Sequence, residues 1–387
     1  MKTATTPQVA VSLQALTGAQ FSGGVAEVSS TTIPLVQVLR AVAALLVLLG
    51  HIQSHAIVAA GADTPFGQQS RLPGGLGVDL FFAISGFIMV VSSVRLFEQP
   101  GAWRIFLLRR AVRLVPLYWL ATLAFLPVVL WGSRGHSVDL LAALGTALAF
   151  IPYHALEPGG LVAYPLLSLG WTLNYEVLFY VLFSAAIVLP MSRAVPVVTF
   201  GLLLLVLAGA WVESTQTALY FWTRPIVLEF AFGAFIAWMW IRNFRLTMPL
   251  SMLILLAAVA LVVVDPWGLR AATAGTSTPN DLVRVMGWGL PAAAVLAAAV
   301  LLVPSGRSTP RSLSPLVTLG DWSYALYLTH TFALIVVVNA WKLLELQSVF
   351  GALALAVVQV AAAVIVAGLV YRWFELPVTT ALRRRFC

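Results

Sequence analysis

Residues 33–52, IPLVQVLRAVAALLVLLGHI, decide the fold. An α-helix rises 1.5 Å per residue, so about twenty apolar residues reach about 30 Å, the thickness of a bilayer's hydrocarbon core. Nine further segments meet that length or come close: 76–94, 112–131, 171–190, 196–212, 225–241, 248–264, 285–303, 322–341 and 350–372. The expected fold is therefore all-α, a polytopic membrane helix bundle of about ten transmembrane helices. Composition agrees: 61% of the 387 residues are hydrophobic and 9% are charged, against about 25% charged in soluble domains.

An eleventh apolar run, 138–152, is shorter and opens on Asp139, and its status sets the orientation of everything after it. Lys and Arg concentrate in cytoplasmic loops. If 138–152 does not span and the N-terminus is inside, sixteen of the 22 Lys and Arg residues fall inside and six outside. If it spans, the split is eleven against eleven. The bias thus puts both termini in the cytoplasm. Residues 132–170 become a long outer loop with 138–152 as an interfacial or re-entrant helix. That loop contains Pro152, His154, Pro158, Gly159, Gly160 and Pro165, and reads either as an acceptor-side wall or as an ordinary connection.

Residues 1–32 are polar and small, without a long apolar core, and read as a disordered cytoplasmic tail rather than a signal peptide. Residues 33–375 form the membrane domain, and 376–387 a basic cytoplasmic tail. The sequence pI of ≈ 10.1 does not imply nucleic acid, because the basic residues sit in short clusters between apolar runs. The sole cysteine, Cys387, leaves no intrachain disulfide and no thiol in the apolar body. No metal-ligand spacing occurs among the five histidines, so no metal is expected.

An ionisable group inside a span costs a few kcal/mol and faces a cavity rather than lipid. Few occur here: His51 at the outer end of the first span with His55 one turn beyond, Asp79, Glu176, Glu229 just after Arg224, and His330. Arg40 and His51 are eleven residues apart, about 16 Å of helix rise. That puts Arg40 near the cytoplasmic side and His51 in the outer half. Asp79, Glu176, Arg224 and Glu229 are expected in the same outer layer, the candidate active site. Arg224 and Glu229 would pair with each other, and Asp79 would cap its helix or pair with Arg224. Ser85 and Gly86 read as close helix packing by small residues. Trp171 and Trp222 either join the interfacial aromatic belt or stack on an acceptor sugar. Below this layer the loop 95–113 carries Arg95, Arg104, Arg109, Arg110 and Arg113. Arg110 and Arg113 share a helical face at i, i+3. Guanidinium forks grip phosphates, so the cluster reads as a clamp for the phosphates of coenzyme A or as plain positive-inside anchoring.

Seven stretches in order carry a resemblance: QVLRAVAALLVLLGH at 37–51, GVDLFFAISGF at 77–87, FLLRRAVRLVPLYW at 106–119, SLGWTLNYEVLFY at 168–180, RPIVLEFAFG at 224–233, LGDWSYALYLTH at 319–330 and YRWFELPVTTALRR at 371–384. From residue 34 to the C-terminus the chain resembles the acyltransferase family 3 membrane proteins, and its short tail looks most like their exopolysaccharide O-acetyltransferase branch. The resemblance maps an Arg-x10-His motif onto Arg40 and His51, an R-x-x-R motif onto Arg110 and Arg113, and a motif glutamate onto Glu176. Two departures are mild: Thr172-Leu173-Asn174-Tyr175-Glu176 in place of a Ser-Leu-x-x-Glu pattern, and Gln37 where Asp is common.

What the resemblance implies is an acyl-CoA-dependent O-acyltransferase of the bacterial inner membrane. It would move an acetyl or similar short acyl group to a hydroxyl of a polysaccharide or its lipid-linked precursor. Acyl-CoA is then a co-substrate, and no bound cofactor is expected. Such chemistry needs a base for the hydroxyl proton and donors for the developing oxyanion. His51 is assigned as base, with Glu176, or else Asp79, orienting its ring. Arg40, Arg109, Arg110, Arg113 and His330 are assigned to acyl-CoA, and Arg224, Glu229, Trp171 and Trp222 to the acceptor side. Two rivals stand beside this: a carrier or flippase for a lipid-linked sugar, and the other large class of membrane O-acyltransferases, with His330 as its histidine.

Overall fold

A computed structural model describes residues 33–60, 72–132, 139–153, 164–213, 215, 217–272, 281–302, 311–346 and 351–386. A helix occupies each of the ten expected spans: α1 Pro34–Ala60, α2 Gly74–Ser92, α3 Ala102–Gly132, α4 Trp171–Ala186, α5 Met191–Ala208, α6 Leu228–Ile241, α7 Met248–Val264, α8 Leu290–Val300, α9 Ser323–Leu343 and α10 Ala352–Val370. Among the described residues, seven helices are long and apolar enough to cross a membrane by themselves. The shorter α4 and α6 are extended at their N-terminal ends by 3₁₀ turns, Ser168–Gly170 and Pro225–Val227. A π-helical turn, Val285–Gly289, leads into α8, and a second, Tyr371–Glu375, continues α10 into a basic helix, Leu376–Phe386.

The run 138–152 is too short to span. Its helix, Leu140–Leu148, has nine residues, about 14 Å of rise. Asp139 accepts from the Ala142 N–H at 3.0 Å and so caps it. Trp119 Nε1 on α3 donates to the Leu148 carbonyl at 3.0 Å and ties it down.

Burial ranks the helices. Eleven of the nineteen α2 residues are buried, against two of the seventeen in α7. Thus α2 is the central post, while α7 turns Leu253, Leu256 and Val263 outward, as a lipid-facing helix should. Lipid gives no hydrophobic drive for helices to associate, so close backbone approach between small residues must supply it. A Cβ at Gly86 would strike the Phe230 carbonyl on α6, and one at Gly233 would strike the Ala83 carbonyl on α2. On the opposite side, a Cβ at Gly50 of α1 would stand 2.8 Å from Gly74 Cα. That contact sets His51, the next residue, level with the start of α2. The expectations for residues 1–32, His154, Pro158, Gly159, Gly160 and Cys387 lie outside the described residues, as does the side chain of His55.

Candidate functional site

A cavity lies among α1, α2, α3, α4 and α9. At its lower end the lining is polar: Arg40, Arg110, Arg113 and Glu176. At its upper end it is aromatic and apolar, with Val78, Phe81, Thr172 and Tyr327. Along α2 the lining runs from Met89 to Val78, eleven residues, about 16 Å. The cavity is therefore long enough for an extended chain whose charged end stays at the arginines.

The lower end is held by side chains from separate helices. Arg40, 7% exposed, donates from Nη1 to Gln37 Oε1 at 3.1 Å. Arg110 donates to Ser92 Oγ and places its guanidinium 5.4 Å from the Phe106 ring centre. Glu176 Oε1 accepts from Ser85 Oγ at 3.1 Å and from the Tyr180 hydroxyl. Ser85, expected only to pack, thus fixes the glutamate. The Tyr324 hydroxyl donates to the Leu114 carbonyl at 2.6 Å and forms another wall. Arg95, Arg104 and Arg109 are exposed, and none of them lines the cavity. For Arg109 and Arg110, neighbours on α3, helical spacing explains the split, since neighbours on a helix diverge by about 100° while i and i+3 share a face.

Above the cavity two imidazoles meet. The His51 and His330 ring centres are 4.9 Å apart, edge to face, and His330 lies 6.3 Å from Tyr327. His51 Nδ1 sits 2.9 Å from the Val47 carbonyl, and His330 Nδ1 3.1 Å from that of Leu326. A carbonyl only accepts, so each bond assigns the proton to Nδ1 and leaves the lone pair on Nε2. His51 is half-buried, whereas His330 is 1% exposed.

The sequence reading placed a carboxylate beside His51, and the geometry differs. The ring's hydrogen-bond partner is the carbonyl one turn back on its own helix. Nor do the ionisable groups form one layer. His51 is level with Gly74; Asp79 is five residues further along α2, about 7.5 Å lower. Ser85, which holds Glu176, lies about 9 Å lower again. The start of α4 explains this depth, because Trp171, its first residue, already packs on Phe82.

Asp79 finds a partner other than Arg224. Arg284 donates from Nε to Asp79 Oδ1 at 3.0 Å and from Nη2 to Oδ2 at 2.9 Å, with exposures of 2% and 0%. Glu229, also 0% exposed, adjoins the same pair, and a Cβ at Gly289 would lie 2.7 Å from its Oε1. The Trp171 and Trp288 rings flank the guanidinium, each 5.6 Å away. Trp171 therefore turns inward instead of joining a surface belt. The expected Arg224–Glu229 pair does not form: Arg224 donates to the Tyr220 and Gly209 carbonyls at 2.9 and 3.0 Å and stacks on Tyr220. Trp222 is half-buried and makes no hydrogen bond or ring contact to this cluster among the described residues. Arg284 is one of the six basic residues that the charge count puts outside. The signal for it was local: Asp281 three residues before it and Trp288 four after, a helix cap followed by an aromatic neighbour. The Arg284 N–H indeed donates to Asp281 Oδ1 at 3.0 Å.

With the geometry in view, similarity to known proteins can be added. Residues 34–372 match the family described as acyltransferase domain, of the acyltransferase 3 type. The chain is 37% identical over 267 residues to the exopolysaccharide production protein ExoZ of Rhizobium meliloti (strain 1021), covering 69% of this chain and 78% of that one. It is 29% identical over 273 residues to a Komagataeibacter xylinus protein named as a membrane-bound transacylase, BcsY, covering 67% and 66%. No solved structure matches the chain significantly.

Proposed function

The chain belongs to the acyltransferase 3 family and is a multi-pass membrane acyltransferase, and from that premise we propose its donor, acceptor and chemistry. The donor is acyl-CoA, bound from the cytoplasmic side of the bacterial inner membrane. The acceptor is a hydroxyl of an exported polysaccharide or its lipid-linked precursor, and the group moved is acetyl or a similarly short acyl. The name of the ExoZ relative supports the acceptor class. The excess of Lys and Arg at one side supports the orientation.

One observation carries the donor assignment: the cavity that begins at Arg40, Arg110 and Arg113 and ends at Tyr327, beneath the two imidazoles. Coenzyme A is built the same way, with phosphates at one end and a thioester at the end of a slender arm. Guanidinium groups would grip the phosphates, and the arm would lie along the apolar wall. His51 Nε2, its lone pair exposed by the Nδ1–H bond to Val47, takes the proton as the hydroxyl oxygen attacks the thioester carbonyl. The C–S bond breaks, the ester forms, and the proton passes to the departing thiolate. The experiment is transfer of labelled acetyl from acetyl-CoA by the purified protein to an acceptor polysaccharide. His51→Ala is expected to abolish ester formation while CoA binding persists. Ester formation at the normal rate in that variant would remove His51 from the chemistry, and a protein that moves sugar without making ester would be a carrier.

A further inference from the structure

At the upper end of the cavity, next to the histidine pair, two rings meet. Phe81 and Tyr327 both line the cavity, and their ring centres lie 6.0 Å apart at 73°, an edge-to-face contact that leaves no gap. The Tyr327 hydroxyl is hydrogen-bonded to Thr172 Oγ1 at 2.8 Å and donates to the Leu169 carbonyl at 3.0 Å. Those bonds anchor the tyrosine at its far end, and 7% of it is exposed. Phe81 has no polar tether and is half-buried, its free surface turned to the cavity. Its neighbour Phe82, by contrast, is locked by stacking on Phe230 at 4.6 Å and by edges against Trp171 and Tyr175. Of the rings at this level, Phe81 has the fewest such restraints, its ring contact being the one with Tyr327.

Resting on the acyl-CoA reading above, we propose that Phe81 is a gate, and Tyr327 its fixed jamb, through which the acyl thioester reaches His51, and that the space the Phe81 ring fills there selects short acyl groups. The step from Tyr327 to His330 is one helical turn, and His51 touches His330. A thioester arriving from the arginine end must bring its acyl carbon past the two rings. An acetyl group adds one methyl beyond the carbonyl and passes once Phe81 rotates. A longer chain must also find room beyond the rings, beside His330 and His51, before its carbonyl arrives. Rotating one tetherless aromatic ring costs little, whereas moving Tyr327 would break two hydrogen bonds at once.

The test compares kcat/KM for acetyl-CoA and hexanoyl-CoA in the purified full-length protein, wild type and variants, with CoA binding measured alongside. Phe81→Ala is expected to raise the hexanoyl-to-acetyl ratio at least tenfold. Tyr327→Phe, which keeps the ring and loses the tether, should raise it by a smaller factor. If Phe81→Ala does not yield folded protein, Phe81→Leu carries the same test with an expected rise of about threefold. An unchanged ratio in a variant that still transfers acetyl overturns the gate. A folded variant that binds CoA but transfers neither group overturns it as well, since Phe81 would then serve the chemistry and not the selection. Failure of the wild-type protein to use any acyl-CoA would overturn the proposed function instead, so the two failures are distinguishable.

Discussion

Asp79 and Arg284 stand 205 positions apart in the chain, yet form a two-bond ion pair at 2.9 and 3.0 Å in the middle of the bundle. Both are almost fully enclosed, at 0% and 2% exposure. A charge so placed is tolerable only while its partner is there. The pair joins α2, the central helix, to the segment entering α8. Phe81 and Phe82 follow two and three residues after Asp79, within one turn, so the cavity wall is positioned through this joint.

Asp79→Ala or Arg284→Ala is accordingly expected to destabilise the protein by roughly 3–5 kcal/mol, because each leaves one buried charge without its counterpart. The double variant Asp79→Asn/Arg284→Met, which removes both charges of the pair and leaves Glu229 beside neutral groups, should lose much less than the sum of the single variants. Thermal unfolding in detergent micelles measures the difference. Strictly additive losses would mean that the two residues act separately.

The arginines offer a sharper contrast. Arg110 and Arg113 line the cavity, whereas Arg109, beside Arg110 in sequence, is exposed and does not. Arg110→Ala and Arg113→Ala should each raise KM for acetyl-CoA roughly tenfold or more, the weight of a lost charge-assisted hydrogen bond of about 1.5–3 kcal/mol. Arg109→Ala should change it less than twofold. Equal effects at all three positions would show that they act together through net charge on the membrane surface.

These contrasts also mark what the sequence could and could not reveal. Helices were legible because lipid demands long apolar runs, and the shortfall of 138–152 was visible in its length. Arg110 and Arg113 were legible from i, i+3 spacing, although the exposure of Arg109 was not, since a cluster of like residues hides which member turns inward. Partners distant in sequence were hidden. Nothing in 77–87 points to Arg284, because an ion pair between separate spans depends on how the helices are ordered in the bundle. The carboxylate expected beside His51 failed for a related reason: depth was counted along each helix from its apolar edge, and α4 begins deeper than its edge suggests. The Phe81–Tyr327 contact had no sequence signal, because aromatic residues line membrane helices everywhere.

Helix approach gives a prediction about stability alone. Gly86 faces the Phe230 carbonyl so closely that a methyl group cannot fit without moving backbone. Gly86→Ala should therefore push α6 from α2 and cost about 1–3 kcal/mol, as overpacking does. Gly201 on α5 has nothing within 4 Å of an added Cβ. Gly201→Ala should be neutral or stabilising, since alanine is the better helix former by about 1 kcal/mol. Melting temperatures of the two variants, measured in the same detergent, should move in opposite directions or differ by several degrees.

The two histidines are the last contrast, and the chemistry separates them. Each has its Nδ1 proton committed to a carbonyl one turn back, so only Nε2 can take a proton from a substrate. A base must also be reached by the hydroxyl it deprotonates. His51 is half-buried, while His330 is 1% exposed and packed between His51 and Tyr327. His51→Gln should then lower kcat by a factor on the order of 10²–10⁴, the usual weight of a general base, with KM for acetyl-CoA little changed. His330→Phe keeps a ring against His51 and should retain transfer within about tenfold, whereas His330→Ala removes the support and should fall further. If His330→Phe were as inactive as His51→Gln while CoA still bound, the base would be His330, and the half-buried imidazole on α1 would be the one that merely packs.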